Sequence, residues 1–264
     1  MKRPDRLHIL IVDHLDRIAA MRLRALDTSD PEGLHDLRVA LRGLRTLLPL
    51  FDNQGKLPQL RRDWRALAHA TGPARDLEVL LALLDTRPDT PTGLREKLDK
   101  AQRIARKQLA QQLGSMQLPH LLQTSRNELD AAQKRIRPEE LRRKIARRTN
   151  KLHLKVKQRI IILSPSSPPQ SWHQLRLEVK RLRYLIEHCG EWLPKRYRRV
   201  HSELKHCQDL LGNLHDLDIL VDLIKTPTTI ERETLQHAAW KAIHSLAVTL
   251  DRTQAFVQKH AIGQ

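Results

Sequence analysis

Apolar positions recur along this chain at intervals of three and four residues, the period of a helix, and no stretch keeps the two-residue alternation of a strand. Residues 5–27 read as a first helix, with Leu7, Leu10, Ile11, Leu15, Ile18 and Met21 on its inner side. Asp30-Pro31-Glu32 is a start signal: a cap, a proline in the first turn, an early acid. The helix that follows runs to about residue 51, where Asn53-Gln54-Gly55 closes it. Residues 57–71 form the next, with Leu60, Trp64, Leu67 and Ala68 inward. Gly72-Pro73 kinks or breaks it, because proline lacks the amide hydrogen and crowds the preceding turn. Helix resumes over 75–84, Pro88 and Pro91 mark a loop, and helices follow over 92–113 and 119–135. Pro138-Glu139-Glu140 starts a long basic helix to about residue 163. Residues 164–170, a run of serines and prolines, read as a linker that cannot be helical. Ser171 with Gln174 forms a capping-box pattern. Helices over 195–211 and 213–224 come next, and Pro227 precedes a last one over about 229–259. The pattern predicts an all-α chain.

One helix carries a second pattern on top of its apolar stripe. His35 is followed by cations at +3, +7 and +10, namely Arg38, Arg42 and Arg45, beside the stripe Leu37, Leu41, Leu44 and Leu48. The arrangement returns once, as His173, Arg176, Lys180 and Arg183 beside Leu175, Val179, Leu182 and Ile186. On a helix the His and its cations fall within roughly 80° of arc, and the apolar stripe lies roughly 110° around. Each copy therefore buries one face and borders that core with a stripe of a single sign. Arg65, Gly72, Asp76, Leu77 and Leu80 likewise correspond to Lys205, Gly212, Asp216, Leu217 and Leu220. The chain reads as one domain, 1–264, built by tandem duplication: a first half of about 1–137 and a second of about 138–264, with the 164–170 linker inside the second. Two helical bundles related by a pseudo-twofold axis are expected, with a basic groove or pore between them.

The charge balance narrows the partners. With Lys+Arg 48 against Asp+Glu 30, the net charge is +18, so polyanions are attracted: nucleic acid, an anionic membrane surface or a phosphate polymer. Aromatic residues make up only 3%, which leaves few platforms for stacking bases and favours a polyanion without bases. Cys189 and Cys207 form no disulfide framework; they read as small buried hydrophobes in a reduced, cytoplasmic protein. Asp13, His14 and Asp16 interrupt the first apolar run, so no signal peptide is expected. No apolar run approaches the ~18 residues of a membrane span.

His35-x-x-Arg38-x-x-x-Arg42-x-x-Arg45, Gly72-x-x-Arg75-Asp76-Leu77, His173-x-x-Arg176-x-x-x-Lys180-x-x-Arg183-Tyr184 and Leu211-Gly212-x-x-x-Asp216 resemble the CHAD family, the conserved-histidine α-helical domains. The resemblance spans about residues 5–260. It implies two pseudo-symmetric helical bundles, binding of inorganic polyphosphate, and association with polyphosphate granules. Some members carry a catalytic CYTH domain; this chain has no strands for one and resembles a stand-alone member. Carried over by position, the implied polyphosphate contacts are His35, Arg38, Arg42, Arg45, His173, Arg176, Lys180 and Arg183. Arg62, Arg65 and Lys205 are expected additions. Asp76 and Asp216 are expected to hydrogen-bond neighbouring cations and fix their rotamers. The second copy departs from the Arg-Asp pair and reads His215-Asp216.

The residue types suit the ligand. An arginine fork engages two phosphate oxygens at once, Lys180 supplies a point charge, and a histidine ring can donate in either protonation state. No cofactor or metal is expected. A nucleic-acid-binding helical protein is the alternative, and a metal-dependent phosphohydrolase the next. His35-Asp36 and His215-Asp216 invite the latter comparison, but adjacent helical residues point about 100° apart and cannot readily share a metal. Walker loops and nucleophile elbows are absent, so the chain is not expected to be an enzyme. Lys151 and Lys155 are lesser candidates for the second half's groove, and the remaining histidines are assigned no role.

Overall fold

The computed structural model describes all residues except 1–2, 28, 31, 52–56, 87–92, 116–117, 196, 225–228 and 262–264. The described residues contain no strand and form ten α-helices with one 3-10 turn at Gly190–Trp192. In order they are α1 (Arg3–Arg24), α2 (Gly33–Phe51), α3 (Pro58–Ala70), α4 (Gly72–Leu84) and α5 (Leu94–Ser115). Then come α6 (Leu118–Gln133), α7 (Pro138–Ile162), α8 (Pro169–Cys189), α9 (Tyr197–Ile224) and α10 (Thr229–Ala261). They divide into two compact units, Met1–Pro138 and Glu139–Gln264.

In the first unit α2 lies between α1 and α3, and α4 packs on α5. The leucines of α2 drive this, since Leu37, Leu41, Leu44 and Leu48 are all buried. Gly43 brings α1 close: its hydrogen faces the His14 ring, and a Cβ there would overlap the imidazole. In the second unit α9 lies between α8 and α10, and its core includes Leu175, Val179, Leu182, Leu204, Leu214 and Ile243. Trp172 packs edge-on to Trp240, with ring centroids 6.2 Å apart. Cys189 and Cys207 are buried, and burial pushes both thiols up to about 12, which makes them packing residues.

The duplication is visible in the burial of the residues. Leu7, Ile11, Leu15 and Ile18 of α1 are buried, and so are Ile145, Thr149, His153 and Val156 of α7, each 138 positions later. Residues 61–75 and 201–215 repeat the same order of buried, half-buried and exposed positions without exception.

Two expectations need correction. The break at Gly72-Pro73 is real, with Thr71 between α3 and α4. Its counterpart at Gly212-Asn213 is not, because asparagine keeps the amide hydrogen that proline lacks, and α9 runs unbroken for 28 residues. The second correction is the start of α8. The Ser171–Gln174 capping box is not used; extended Pro168 precedes the helix and Pro169 occupies its first turn, where no amide hydrogen is needed. Pro169 and Gln170 are therefore helical. The rest of the 164–170 stretch is knitted together: Ser164 N donates to Ser167 Oγ (2.9 Å), and Gln236 of α10 donates to the Pro165 carbonyl (2.6 Å). Pro31, the 53–55 stop, the Pro88 and Pro91 loop and the Pro227 break lie outside the described residues. Among the described residues, no helix is long and apolar enough to cross a membrane.

One buried residue sets an acid limit on the second unit. His153 is fully buried; burial first, and Lys157 second, lower its pKa to about 4 from about 6.5, against the opposing pull of Asp251. Well above pH 6.5 neither folded nor unfolded chain holds this proton. As pH falls toward 4 only the unfolded chain gains it, so stability is lost through that window, by about 3 kcal/mol in all. The first unit carries Leu15 at the equivalent position. His153→Leu is therefore expected to raise the melting temperature near pH 5 by more than at pH 7; equal shifts at both would contradict the assignment.

Candidate functional site

The first cationic ladder is placed by the corner between α1 and α2. Asp30 Oδ1 accepts from the backbone N–H groups of Glu32 (3.0 Å) and Gly33 (2.9 Å), capping α2 two residues before His35. Arg24 of α1 braces the same corner, pairing with Asp30 (2.6 Å) and Asp36 (3.1 Å). With the leucine stripe buried, His35, Arg38 and Arg42 are left half-buried and Arg45 exposed.

His35 and Arg38 each rest on a built support. Arg38 Nη1 donates to Thr71 Oγ1 (3.0 Å), and the Thr71 hydroxyl donates to the Ala68 carbonyl (2.8 Å). The guanidinium passes over Gly72, and a Cβ at that glycine would lie 3.8 Å from Nη1. Burial is the main effect lowering the Arg38 pKa; Asp76 opposes it, while Arg42 and Arg75 add to it. Arg75 Nη2 lies 3.2 Å from His35 Nδ1. A guanidinium can only donate, so His35 accepts at Nδ1 and carries its hydrogen on Nε2. Arg75 Nη1 in turn donates to Glu78 (3.0 Å), and Arg106 from α5 closes on the other Glu78 oxygen while donating to the Ala25 carbonyl (2.7 Å).

The second ladder lies on α8 with the same logic. Arg176 passes over Gly212, whose Cβ would lie 4.0 Å from Nε, and that Nε is buried with no hydrogen-bond partner among the described residues. His173 Nδ1 lies 3.3 Å from His215 Nδ1, with ring centroids 4.3 Å apart. Burial, Arg176 and Lys180 lower the His173 pKa. Burial first, then Arg176, His173 and Lys180 bring His215 down to about 4. Arg183 is braced by Gln208 (2.8 Å) and Glu187 (3.0 Å) and lies 4.1 Å over the Tyr184 ring.

Arg62 and Arg65 stand exposed on α3, where Arg62 donates to Gln59 (2.6 Å), and Lys205 stands exposed on α9. Asp76 is exposed on α4 and acts on Arg38 through its charge; Asp216 is half-buried on α9. Sequence reasoning missed the carboxylates that distant arginines engage. Glu78 is held by Arg106, and its counterpart Asp218 is held by Arg232 of α10 at 2.7 Å. The signal was available, since both acids stand two residues after the aspartates of the repeat. Among the described residues, no group of three or more His, Cys, Asp or Glu side chains could hold a metal ion.

Comparison with known proteins places this geometry in context. The pattern of the CHAD domain matches residues 10–225. The structure is similar to the crystal structure of the CHAD domain from the plant Ricinus communis, with a TM-score of 0.68 and 27% identity over 99% of this chain and 92% of that one. It also shares its fold with PptA from Streptomyces chartreusis, with a TM-score of 0.53 and 15% identity over 95% of this chain and 98% of that one. No curated protein matches the sequence.

Proposed function

The chain belongs to the CHAD domain family, and from that premise we propose that it binds inorganic polyphosphate through its two His/Arg/Lys ladders. The observation that carries the proposal is the repeated support: in each unit an arginine of the ladder lies over a bare glycine and the ladder histidine is paired from the neighbouring helix. Such bracing spares the conformational entropy that free surface arginines would lose on binding. A polymer with one negative charge per phosphate and no bases matches cations at helical spacing and a chain poor in aromatic residues. Two ladders on one polypeptide also make the interaction multivalent for a long chain. We place the protein among polyphosphate-granule components of the cytoplasm, in a binding role with no catalytic step.

Competition tests this reading. Long-chain polyphosphate is expected to stay bound in the presence of excess double-stranded DNA or RNA of equal charge. Displacement by DNA and RNA alike would support a general nucleic-acid-binding role instead. Binding is expected to weaken with salt, with a log–log slope of roughly −0.7 to −0.9 per phosphate engaged. Phosphate release from polyphosphate with added divalent metals would overturn the non-catalytic assignment.

A further inference from the structure

The two units differ at one position of the ladder support. Where the first sets Arg75 against His35, the second sets His215 against His173, at nearly the same separation: 3.2 Å and 3.3 Å. The exchange changes the charge the support carries. Arg75 brings a permanent positive charge and leaves His35 with its hydrogen on Nε2. The histidine pair brings a charge only when it gains a proton.

The facing atoms fix how many protons the pair can take. Two Nδ1 atoms 3.3 Å apart attract only if one bears a hydrogen and the other a lone pair. In the neutral pair, the ring that donates from Nδ1 has a bare Nε2. A proton from solvent added there makes that ring an imidazolium, still donating to its partner from Nδ1 and now donating outward from Nε2. A second proton would put hydrogens on both facing Nδ1 atoms and break the contact. The pair therefore accepts one proton, and with it matches the charge of Arg75–His35.

We propose that the second unit takes up this proton when it binds a phosphate chain, so that His215 is a ligand-charged member of the site and anion binding there is coupled to proton uptake. The inference rests on the polyphosphate reading above and adds to it a residue and a pH dependence. The groups around the pair explain why it stays neutral until the ligand arrives. Arg176 and Lys180 of α8 face it and repel a further positive charge. On α9, Asp216 adjoins His215, and Asp218 one turn on is engaged by Arg232 of α10. Burial lowers both histidines, His215 to about 4. A phosphate chain beside Arg176, whose buried Nε has no hydrogen-bond partner among the described residues, reverses the local field and favours the imidazolium.

Calorimetric titration of the full chain with long-chain polyphosphate, in buffers of different ionisation enthalpy, counts the protons taken up. The wild-type protein is expected to take up more than His215→Arg, by up to about one proton per chain between roughly pH 5 and 7. Its affinity is expected to rise as pH falls, more steeply than that of His215→Arg by up to about tenfold per pH unit. Arg75→His, which builds the histidine pair into the first unit, is expected to add a comparable uptake and serves if His215→Arg fails to fold. Tight binding with equal proton counts for the wild type and the folded variants would overturn this inference alone. Failure of the wild type to bind polyphosphate at any pH would overturn the functional reading with it.

Discussion

Alanine at Arg38, Arg42 and Arg45 together is expected to weaken polyphosphate binding by about two to three orders of magnitude while the helical circular dichroism stays near that of the parent. Each arginine offers charge-assisted hydrogen bonds worth about 1.5–3 kcal/mol where fully engaged. The intact second ladder keeps the loss below the sum of three. The salt dependence is expected to become shallower by roughly 2–3 units of log–log slope, because three fewer phosphates are neutralised. Arg38 donates to the Thr71 hydroxyl. Removing it leaves no orphan, since the Thr71 hydroxyl keeps its bond to the Ala68 carbonyl. A double Arg42→Ala/Arg45→Ala variant, which spares that contact, is expected to fall between parent and triple. A triple variant that binds as the parent does, with the same salt slope, would falsify the site assignment.

Gly33→Ala is expected to be the most damaging single methyl addition in the first unit, costing about 3 kcal/mol or more. The new Cβ would overlap the carbonyl carbon and oxygen of Arg24, and backbone cannot yield as a side chain can. The cost falls on the corner that orients the ladder. Asp30 caps α2 at Gly33 itself, and Arg24 bridges Asp30 and Asp36, so parting α1 from α2 loosens both the cap and the ion pairs. Urea unfolding should show a lower midpoint for Gly33→Ala. Gly114→Ala, where a Cβ meets nothing within 4 Å, should not lower it and controls for the added methyl. A Gly33→Ala midpoint equal to that of the parent would contradict the packed corner.

The periodic features of the molecule were legible in the sequence because local spacing determines them. The leucine stripe of α2 is buried, the two ladders stand on single helices, and the cysteines are enclosed. Two local signals were misread. The sequence reading parts helices 195–211 and 213–224 at Gly212, although the interrupting residue at the equivalent seam is Pro73, which has no counterpart in α9. Ser171 and Gln174 fit a cap, yet Pro169 fits a first turn better and lies earlier. Other features lay beyond spacing. Arg106 reaches Glu78 from α5 and Arg232 reaches Asp218 from α10. Nothing in the order of residues along one helix says which distant cation will close on a given acid. The pairing of His215 with His173 is of the same kind: the departure from arginine was visible, and its partner was not.

The Thr71 joint has a mechanical consequence. The residue that separates α3 from α4 is also the one that holds the Arg38 guanidinium, so the placing of that side chain depends on the angle between the two helices. Arg176 instead lies beside Gly212 within the uninterrupted α9. Under the polyphosphate reading proposed above, a phosphate chain would meet one ladder arginine at a helix break and the other beside an unbroken helix.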